Sequence, residues 1–285
     1  MRTMEDIILQ YSRRGMDLLR RELPQDFCRK AARAVWSWPR GTVLLATGFY
    51  VAGHAETDGP SGTLVLARAL KQIGFRPVVV TDAFCRGFFE PEGIEVIYMD
   101  ANAGERSARR ILEKYRPVGM ISVERCGENV RGDYANMRGV SIRSNTAPVD
   151  LLFDLARGTV PTVGIGDGGN EIGMGNVKKA ISEKLSLVPC RTETDHLIIA
   201  TVSNWGAYGL AAELSGLAYE DLLMSAGELR AFLTRTVAMG SVDGMSGRPV
   251  LRVDGFPVEM EESILEELRR ASGFDGWDQD LRRPA

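Results

Sequence analysis

The sequence predicts an α/β fold: a doubly wound, mostly parallel β-sheet with helices on both faces. Three observations lead to this prediction. Apolar runs rich in β-branched residues recur along the chain, segments of helical periodicity separate them, and polar segments that contain glycine follow them. Near-continuous apolar runs are typical of parallel strands that are covered on both faces. The six predicted strands are 42–49, 77–82, 95–100, 118–125, 161–167 and 196–204.

Helices are predicted between these strands. Residues 63–74 and 105–115 each place apolar side chains at helical spacing. A third helix is expected after Thr146, which would be its N-cap, with Pro148 in its first turn and Gly158 just past its end.

The C-terminal part of the chain is predicted to add a small hairpin and a helix to the sheet. Residues 247–258 have the pattern of a hairpin or edge strand. Residues 258–273 read as a helix with acids early and arginines late, as the helix dipole favours. Residues 275–285 are expected to form a loose tail. Because no repeat or linker interrupts the sequence, residues 1–285 are interpreted as a single domain.

Composition excludes several classes of protein. The 285 residues include 35 basic and 38 acidic ones, which gives a net charge of −3. The protein therefore has no overall positive charge that would attract nucleic acid. No apolar run approaches the ~20 residues of a membrane span, and the N-terminus has no signal-peptide core, so a cytoplasmic location is expected. The four cysteines form no C-x-x-C pair, and the two histidines exclude a histidine-rich metal site. The sequence leaves a homo-oligomer open.

Four polar segments are expected at one edge of the sheet. Residues 48–62, 124–146, 164–176 and 202–209 follow the first, fourth, fifth and sixth predicted strands. In doubly wound sheets, ligands bind outside the carboxyl ends of the strands. The sequence therefore predicts one composite site for a small molecule at that edge.

The segment GIGDGGNEIGMGNV, residues 164–177, holds six glycines and two acids, Asp167 and Glu171. Three interpretations are open. Three of the glycines satisfy the G-x-G-x-x-G fingerprint of dinucleotide sites, or the glycines serve only the backbone of a turn. We favour the third, an acidic loop at the site. Asp167 would repel a pyrophosphate, and a turn alone needs no acids four residues apart.

Several ordered motifs resemble the D-glutamate cyclase family. They are TGFYVAGHAETDGPSG (47–62), SVERCGENVRGDYANMRG (122–139), SNTAPVDLLFD (144–154), the glycine segment just described and SNWGAYGL (203–210). The resemblance covers roughly residues 40–250. This part of the chain is similar to the C-terminal domain of the long animal members of the family. It implies a lyase, specifically a hydro-lyase, that converts D-glutamate to 5-oxo-D-proline and water.

The implied cyclisation needs groups that move protons, and clustered carboxylates acquire raised pKa values suited to this. We predict Asp167 and Glu171 as an acid–base or metal-ligand pair and Glu124 as the other acid. Glu56 and Asp58 lie on the first loop of the same edge. The competing interpretation of Asp58, which precedes a Gly-Pro pair, is turn chemistry.

Residues that bind the substrate are predicted from the same loops. Arg125 would meet a substrate carboxylate, and the competing interpretation pairs it with Glu124 on the surface. His54 would bind the substrate or serve as a general base, or it would simply hydrogen-bond its own loop. The other predicted substrate-binding residues are Asn129, Asn170, Asn204, Gly168 and Gly169.

An acid cluster with few histidines suits Mg²⁺ or Mn²⁺, with Asp167 and Glu171 as oxygen ligands. The chemistry does not require the metal, since arginines or helix N-termini can also neutralise a substrate carboxylate. Two other functions stay open. One is a nucleotide- or anion-binding module without catalysis, and the other is an enzyme for another small amino or hydroxy acid, because a fold does not fix a substrate.

Overall fold

The computed structural model describes residues 2–185 and 187–274, so the predicted tail at 275–285 lies outside the described residues. Its strands are β1 (Thr42–Thr47), β2 (Tyr50–Val51), β3 (His54–Ala55), β4 (Arg76–Thr81), β5 (Glu95–Tyr98), β6 (Gly119–Val123), β7 (Thr162–Gly166), β8 (His196–Ile199), β9 (Arg252–Val253) and β10 (Phe256–Pro257). Its helices are α1 (Met4–Ile8), α2 (Met16–Leu19), α3 (Phe27–Ser37), α4 (Pro60–Gln72), α5 (Glu105–Tyr115), α6 (Asp150–Ala156), α7 (Lys178–Ala180), α8 (Ser203–Ala218), α9 (Ala226–Ala238) and α10 (Val258–Ala271).

The central sheet has six strands in the order β5-β4-β1-β6-β7-β8, all parallel. Each strand overlaps one of the six predicted runs, so the predicted fold class is confirmed. The chain starts in the middle at β1, builds outward through β4 and β5, then crosses back to β6 and builds the other half. The switch point between β1 and β6 is where such sheets bind ligands.

Alternate residues of β1 belong to opposite layers, as the period of a strand requires. Val43 and Leu45 lie in a core that includes side chains of α3, α4 and α8. Leu44 and Ala46 lie in a second core with side chains of α5 and α6. The sheet is therefore covered on both faces.

A small hairpin and a helix follow the sheet, as predicted. β9 and β10 pair antiparallel, and the two residues between them, Asp254 and Gly255, have φ values of 52° and 78°. Positive φ at both positions is the signature of a type I′ turn, for which Asp-Gly is a preferred pair. α10 then packs against α8 and α1.

Two local predictions are wrong. Thr146 is not an N-cap, because α6 begins only at Asp150 and Thr146 ends a short 3₁₀ turn. Pro148 disfavours helical geometry in the residue before it, so the helix starts later than expected. The sixth predicted strand, 196–204, also extends too far, because β8 ends at Ile199 and the polar segment 202–209 is helical from Ser203, in a helix that is buried through most of its length.

None of the helices in the described part of the chain has the length and apolar character that crossing a bilayer requires.

Candidate active site

Six carboxylates meet outside the carboxyl ends of the strands, around the switch point of the sheet. We call them the acidic cluster: Glu56, Asp58, Glu124, Asp167, Glu171 and Asp254. None of these residues is more than 8% exposed. Segments after three sheet strands supply five of them, and the β9–β10 turn supplies Asp254. The predicted composite site at this edge therefore contains the three acids chosen from the sequence.

Within the acidic cluster, carboxylate oxygens form two triads that share one residue. Oxygens of Glu124, Asp167 and Glu171 lie within 4.8 Å of one another, and so do oxygens of Asp58, Asp167 and Asp254. Asp167 is thus the centre of the arrangement. Its Oδ2 is buried and has no hydrogen-bond partner among the described residues.

The glycine segment folds around Glu171. The backbone N–H groups of Gly168 and Gly169 donate to its two carboxylate oxygens at 2.8 and 2.7 Å. A Cβ at Gly164 would come 2.6 Å from the carbonyl oxygen of Ile172, so this glycine lets the loop pack back onto its own strand. Because the loop amides already bind an acid of the same loop, they favour the acidic-loop interpretation over a phosphate cradle.

Glu124 follows β6 directly and has a left-handed backbone, with φ of 46°. Such a conformation is uncommon for glutamate and persists only where surrounding contacts hold it. The hydroxyl of Ser203 donates to Glu124 Oε2 at 2.6 Å. A Cβ at Gly59 would lie only 2.9 Å from the Glu124 Cβ, so the neighbouring loop also depends on a glycine.

Asp58 and Asn204 lie at the first turns of two helices. Asp58 accepts hydrogen bonds from the backbone N–H of Ser203 at 2.9 Å and of Asn204 at 2.8 Å, at the start of α8. Asn204 Oδ1 accepts hydrogen bonds from the N–H groups of Gly59 and Gly62 at 2.9 and 2.7 Å, at the start of α4. Predicted as a substrate ligand, Asn204 is fully buried and has a capping role.

Arg14 supplies the positive charge at the acidic cluster. Its Nη1 lies 2.7 Å from Asp167 Oδ1, and its Nη2 contacts Asp254 Oδ2. Among the described residues, no other basic side chain forms a salt bridge with the cluster. Neither motif nor spacing singled out Arg14 in the sequence.

Burial dominates the protonation of the acidic cluster. It raises the pKa of Glu124 well above its ordinary value, and neighbouring carboxylates raise it further. Burial also raises the pKa of Asp167, and the positive charge of Arg14 opposes this rise. Burial and the charge of Asp254 raise the pKa of Asp58 to about 7, although the N–H groups of α8 oppose them. Burial thus favours protonated carboxyls in the cluster, while Arg14 and the N–H groups of α8 favour the ionised forms of Asp167 and Asp58.

Arg125 forms no salt bridge with the acidic cluster. Its guanidinium is fully buried, with Nη1 2.6 Å from Asp82 Oδ2 and 2.7 Å from the carbonyl oxygen of Gly48. Nη2 donates to the carbonyl oxygen of Ala147 at 2.6 Å. These contacts do not support the prediction that Arg125 meets a substrate carboxylate. The alternative of a surface pair with Glu124 is wrong, because the residue is buried and pairs with Asp82.

The remaining predicted binding residues lie around a cavity or at the surface. A cavity of about 350 Å³ is lined in part by Asn129, Gly168, Gly169 and Asn170. His54 is exposed on β3, and the described contacts do not bring it to the acidic cluster.

Both asparagines at this cavity form hydrogen bonds with backbone groups of the loop over residues 129–135. Asn129 Oδ1 accepts hydrogen bonds from the N–H groups of Arg131 and Asp133 at 2.9 and 3.1 Å. Asn170 Nδ2 donates to the carbonyl oxygen of Ala135 at 2.8 Å. The two residues thus shape the loop over residues 129–135 and the glycine segment beside it.

Sequence reasoning missed Glu261 on α10, a buried acid next to the acidic cluster. It accepts hydrogen bonds from the Trp205 indole N–H and from the Tyr208 hydroxyl, the latter at 2.9 Å. Burial, with the charge of Asp58, raises its pKa to about 8. Glu261 is one of several glutamates at the start of a helix. Acids there are favoured by the helix dipole, so the sequence pattern indicated a surface residue. Asp254 was hidden in the same way, by a turn motif that explains an Asp-Gly pair without any function.

The arrangement is chemically suited to two tasks. Carboxyls of mixed protonation can pass protons to and from a bound molecule. The Glu124–Asp167–Glu171 triad offers only oxygen ligands and includes an oxygen without a partner, which is the donor set that Mg²⁺ or Mn²⁺ prefers.

Comparison with known proteins agrees with the motifs. The family described as D-glutamate cyclase-like, C-terminal, matches residues 4–269. The chain is 31% identical over 201 residues to the human protein named D-glutamate cyclase, mitochondrial, a match that covers 61% of this chain and 32% of that protein. The match thus spans about a third of the length of that relative.

Proposed function

Because the chain belongs to the D-glutamate cyclase-like family, as its motifs predicted, we propose that it is a hydro-lyase that cyclises D-glutamate to 5-oxo-D-proline and water. The observation that carries the proposal is the acidic cluster, buried at the switch point of the sheet. Buried carboxyls in close groups are how proteins obtain acids and bases that exchange protons near neutral pH.

In the proposed reaction, the α-nitrogen of D-glutamate bonds to its γ-carbon, and one C–O bond of the γ-carboxylate breaks. The ammonium gives up two protons, and both leave with the departing oxygen as water. The net charge of the molecule does not change. The site must therefore take protons from a nitrogen and deliver them to an oxygen, which is general acid–base catalysis.

We assign these proton transfers to the triad predicted from the sequence. Asp167 takes protons from the ammonium, because the positive charge of Arg14 favours its ionised form against the effect of burial and its Oδ2 has no partner among the described residues. Glu124 gives protons to the leaving oxygen, since burial favours its protonated form and Ser203 fixes its position. Burial raises the pKa of Glu171, the two glycine N–H groups oppose that rise by binding its ionised form, and its oxygens have lone pairs left for the ammonium.

We also propose Glu124, Asp167 and Glu171 as the residues that would hold a divalent cation. The support is the oxygen-only donor set and the orphaned Asp167 Oδ2. A bound Mg²⁺ or Mn²⁺ would polarise the γ-carboxylate as a Lewis acid. Arg14 is the alternative source of positive charge, so the cyclisation is conceivable with or without the ion.

The test is incubation of the purified protein with D-glutamate and L-glutamate separately, with and without a chelator, and chiral mass spectrometry for loss of one water. We expect product from the D-isomer only. Chelator sensitivity would support a metal at the triad. A folded protein that converts neither isomer contradicts the proposed function, and other small amino and hydroxy acids would then be screened for binding.

A further inference from the structure

The acidic cluster is covered by a short segment near the N-terminus. Residues 9–15 connect α1 to α2, and we call residues 11–15 of this connection the strap. Arg14, within the strap, places its guanidinium on Asp167 and Asp254, which have side chains only 0% and 5% exposed. The Arg14 side chain itself is 17% exposed, so it closes the cluster from outside.

The strap is attached at its ends and by side chains. Ile8, before it, is fully buried, and its carbonyl oxygen accepts a hydrogen bond from the N–H of Thr201 at 2.9 Å. Met16, after it, is also fully buried. Between these anchors, no backbone–backbone hydrogen bond joins residues 11–14 to the rest of the described chain. Segments without such bonds open at low cost in free energy.

The Ser12 hydroxyl donates to Asp17 in the adjacent α2 at 3.2 Å, and the other side chains of the strap contact two sites. Tyr11 and Arg13 both lie against the ring of Phe256, at 6.2 Å between ring centroids and 4.7 Å from guanidinium carbon to centroid. The other contact is the pair of ion pairs made by Arg14. Tyr11, with φ of 60°, and Gly15, with φ of 79°, form bends on either side of Arg14.

A substrate with two carboxylates cannot enter six buried carboxylates unless a cation receives it. Of the basic side chains that the structure describes, Arg14 is the one that forms salt bridges with the cluster, and Arg125 is occupied by Asp82 and carbonyl oxygens. The fork of a guanidinium matches a carboxylate with two parallel hydrogen bonds. In the structure the two arms of the guanidinium contact two protein acids, Asp167 and Asp254. A substrate ammonium could take the place of the guanidinium beside these acids.

On the basis of the proposed function, we propose that Arg14 binds a carboxylate of the substrate, and that the strap moves aside to admit the substrate and returns with Arg14 on it. The substrate thereby exchanges places with the guanidinium: its ammonium faces Asp167, and its carboxylate takes the fork of Arg14. Such a site selects molecules that carry both an ammonium and carboxylates.

The test compares Arg14→Gln and Arg14→Lys with Arg13→Gln, a matched control on the same strap whose guanidinium contacts Phe256 and not the cluster. Binding of D-glutamate and of glutarate is measured by calorimetry, and turnover of D-glutamate by product formation. Hydrogen bonds to charged groups predict at least about a tenfold loss of affinity for D-glutamate in Arg14→Gln. Arg14→Lys should keep part of that affinity, and Arg13→Gln should stay within about twofold of the unchanged protein.

A second readout separates binding from folding. In Arg14→Ala, added guanidinium ion should restore part of the affinity and turnover without raising the free energy of unfolding, whereas rescue of a merely structural arginine would raise both together. Unchanged D-glutamate affinity in Arg14→Gln, or an equal loss in Arg13→Gln, overturns the inference. If the unchanged protein binds D-glutamate without converting it and Arg14→Gln loses that binding, the proposed function fails while the inference stands.

Discussion

Asp58 and Asn204 cap the first turns of each other's helices. Asp58, just before α4, accepts N–H groups of α8, and Asn204, in α8, accepts N–H groups of α4. Both helix N-termini are therefore fixed against each other beside the acidic cluster. The partial positive charge at two helix N-termini offsets part of the negative charge of the cluster, which helps to explain why six acids can be buried together.

Removing the Asn204 cap should destabilise the protein. In Asn204→Ala, the N–H groups of Gly59 and Gly62 lose a buried acceptor. Each buried N–H without a partner costs about 1–3 kcal/mol, so we expect a loss of about 2–4 kcal/mol in the free energy of unfolding, measured with urea. The control is Asn136→Ala. That half-buried asparagine accepts from the solvent-exposed N–H groups of Arg138 and Val140 in a loop, and the loss there should stay below about 0.5 kcal/mol. Equal losses in both variants would contradict the capping role.

Glu261 should make stability fall as pH rises. Its pKa is raised from 4.5 in the unfolded chain to about 8 in the folded protein, so the folded state holds the proton more tightly. The contribution is present in full below pH 4.5 and is lost as pH rises towards about 8. In Glu261→Gln this contribution is absent. The unchanged protein should therefore lose stability relative to the variant between these pH values, as measured by urea unfolding at several pH values. Glu113 is exposed, so the free energy of unfolding of Glu113→Gln should follow that of the unchanged protein at every pH. A difference in unfolding free energy between Glu261→Gln and the unchanged protein that stays constant with pH would show that Glu261 does not titrate in this range.

The fold was predictable because its evidence is local and repeated. Six apolar runs separated by helical periodicity specify a parallel sheet without knowledge of any long-range contact. The rule that ligands bind at the carboxyl ends of such strands then placed Glu124, Asp167 and Glu171 at one edge. These three acids follow their strands within five residues, so the strands alone determine where they lie.

Arg14, Asp254 and Glu261 were not predictable in the same way. They come from the N-terminal strap, a hairpin turn and the last helix, and only the packing of these elements on the sheet brings them to the site. Arg125 shows a different limit of sequence reasoning. It is adjacent to Glu124 in sequence, yet its guanidinium pairs with Asp82 while Glu124 accepts from Ser203, and these long-range partners cannot be read from the order of residues.

Gly164 should not tolerate a side chain. A Cβ there would meet the Ile172 carbonyl oxygen at 2.6 Å and the Gly173 Cα at 2.7 Å, both of them backbone atoms that cannot move alone. Overpacking of this kind costs about 1–3 kcal/mol, so Gly164→Ala should lower the free energy of unfolding by that amount. Gly216→Ala is the matched control. Gly216 lies within α8 with no atom near the new methyl, and the variant should gain up to about 1 kcal/mol from helix propensity. A neutral Gly164→Ala would mean that the glycine segment can shift away from β7.

Asp167→Asn distinguishes the enzyme from an anion-binding module. The amide cannot take protons from an ammonium, so turnover of D-glutamate should fall by about 10²–10⁴-fold, the usual contribution of a general base. An anion-binding module predicts the opposite, because loss of a negative charge would leave binding of phosphate or nucleotide unchanged or tighter. Asp26→Asn is the control: Asp26 is exposed and pairs with Lys30 on the surface, so turnover should not change. Circular dichroism and urea unfolding would verify that Asp167→Asn stays folded. Full activity in folded Asp167→Asn would remove Asp167 from the proposed proton transfer and leave Glu171 as the remaining candidate base of the triad.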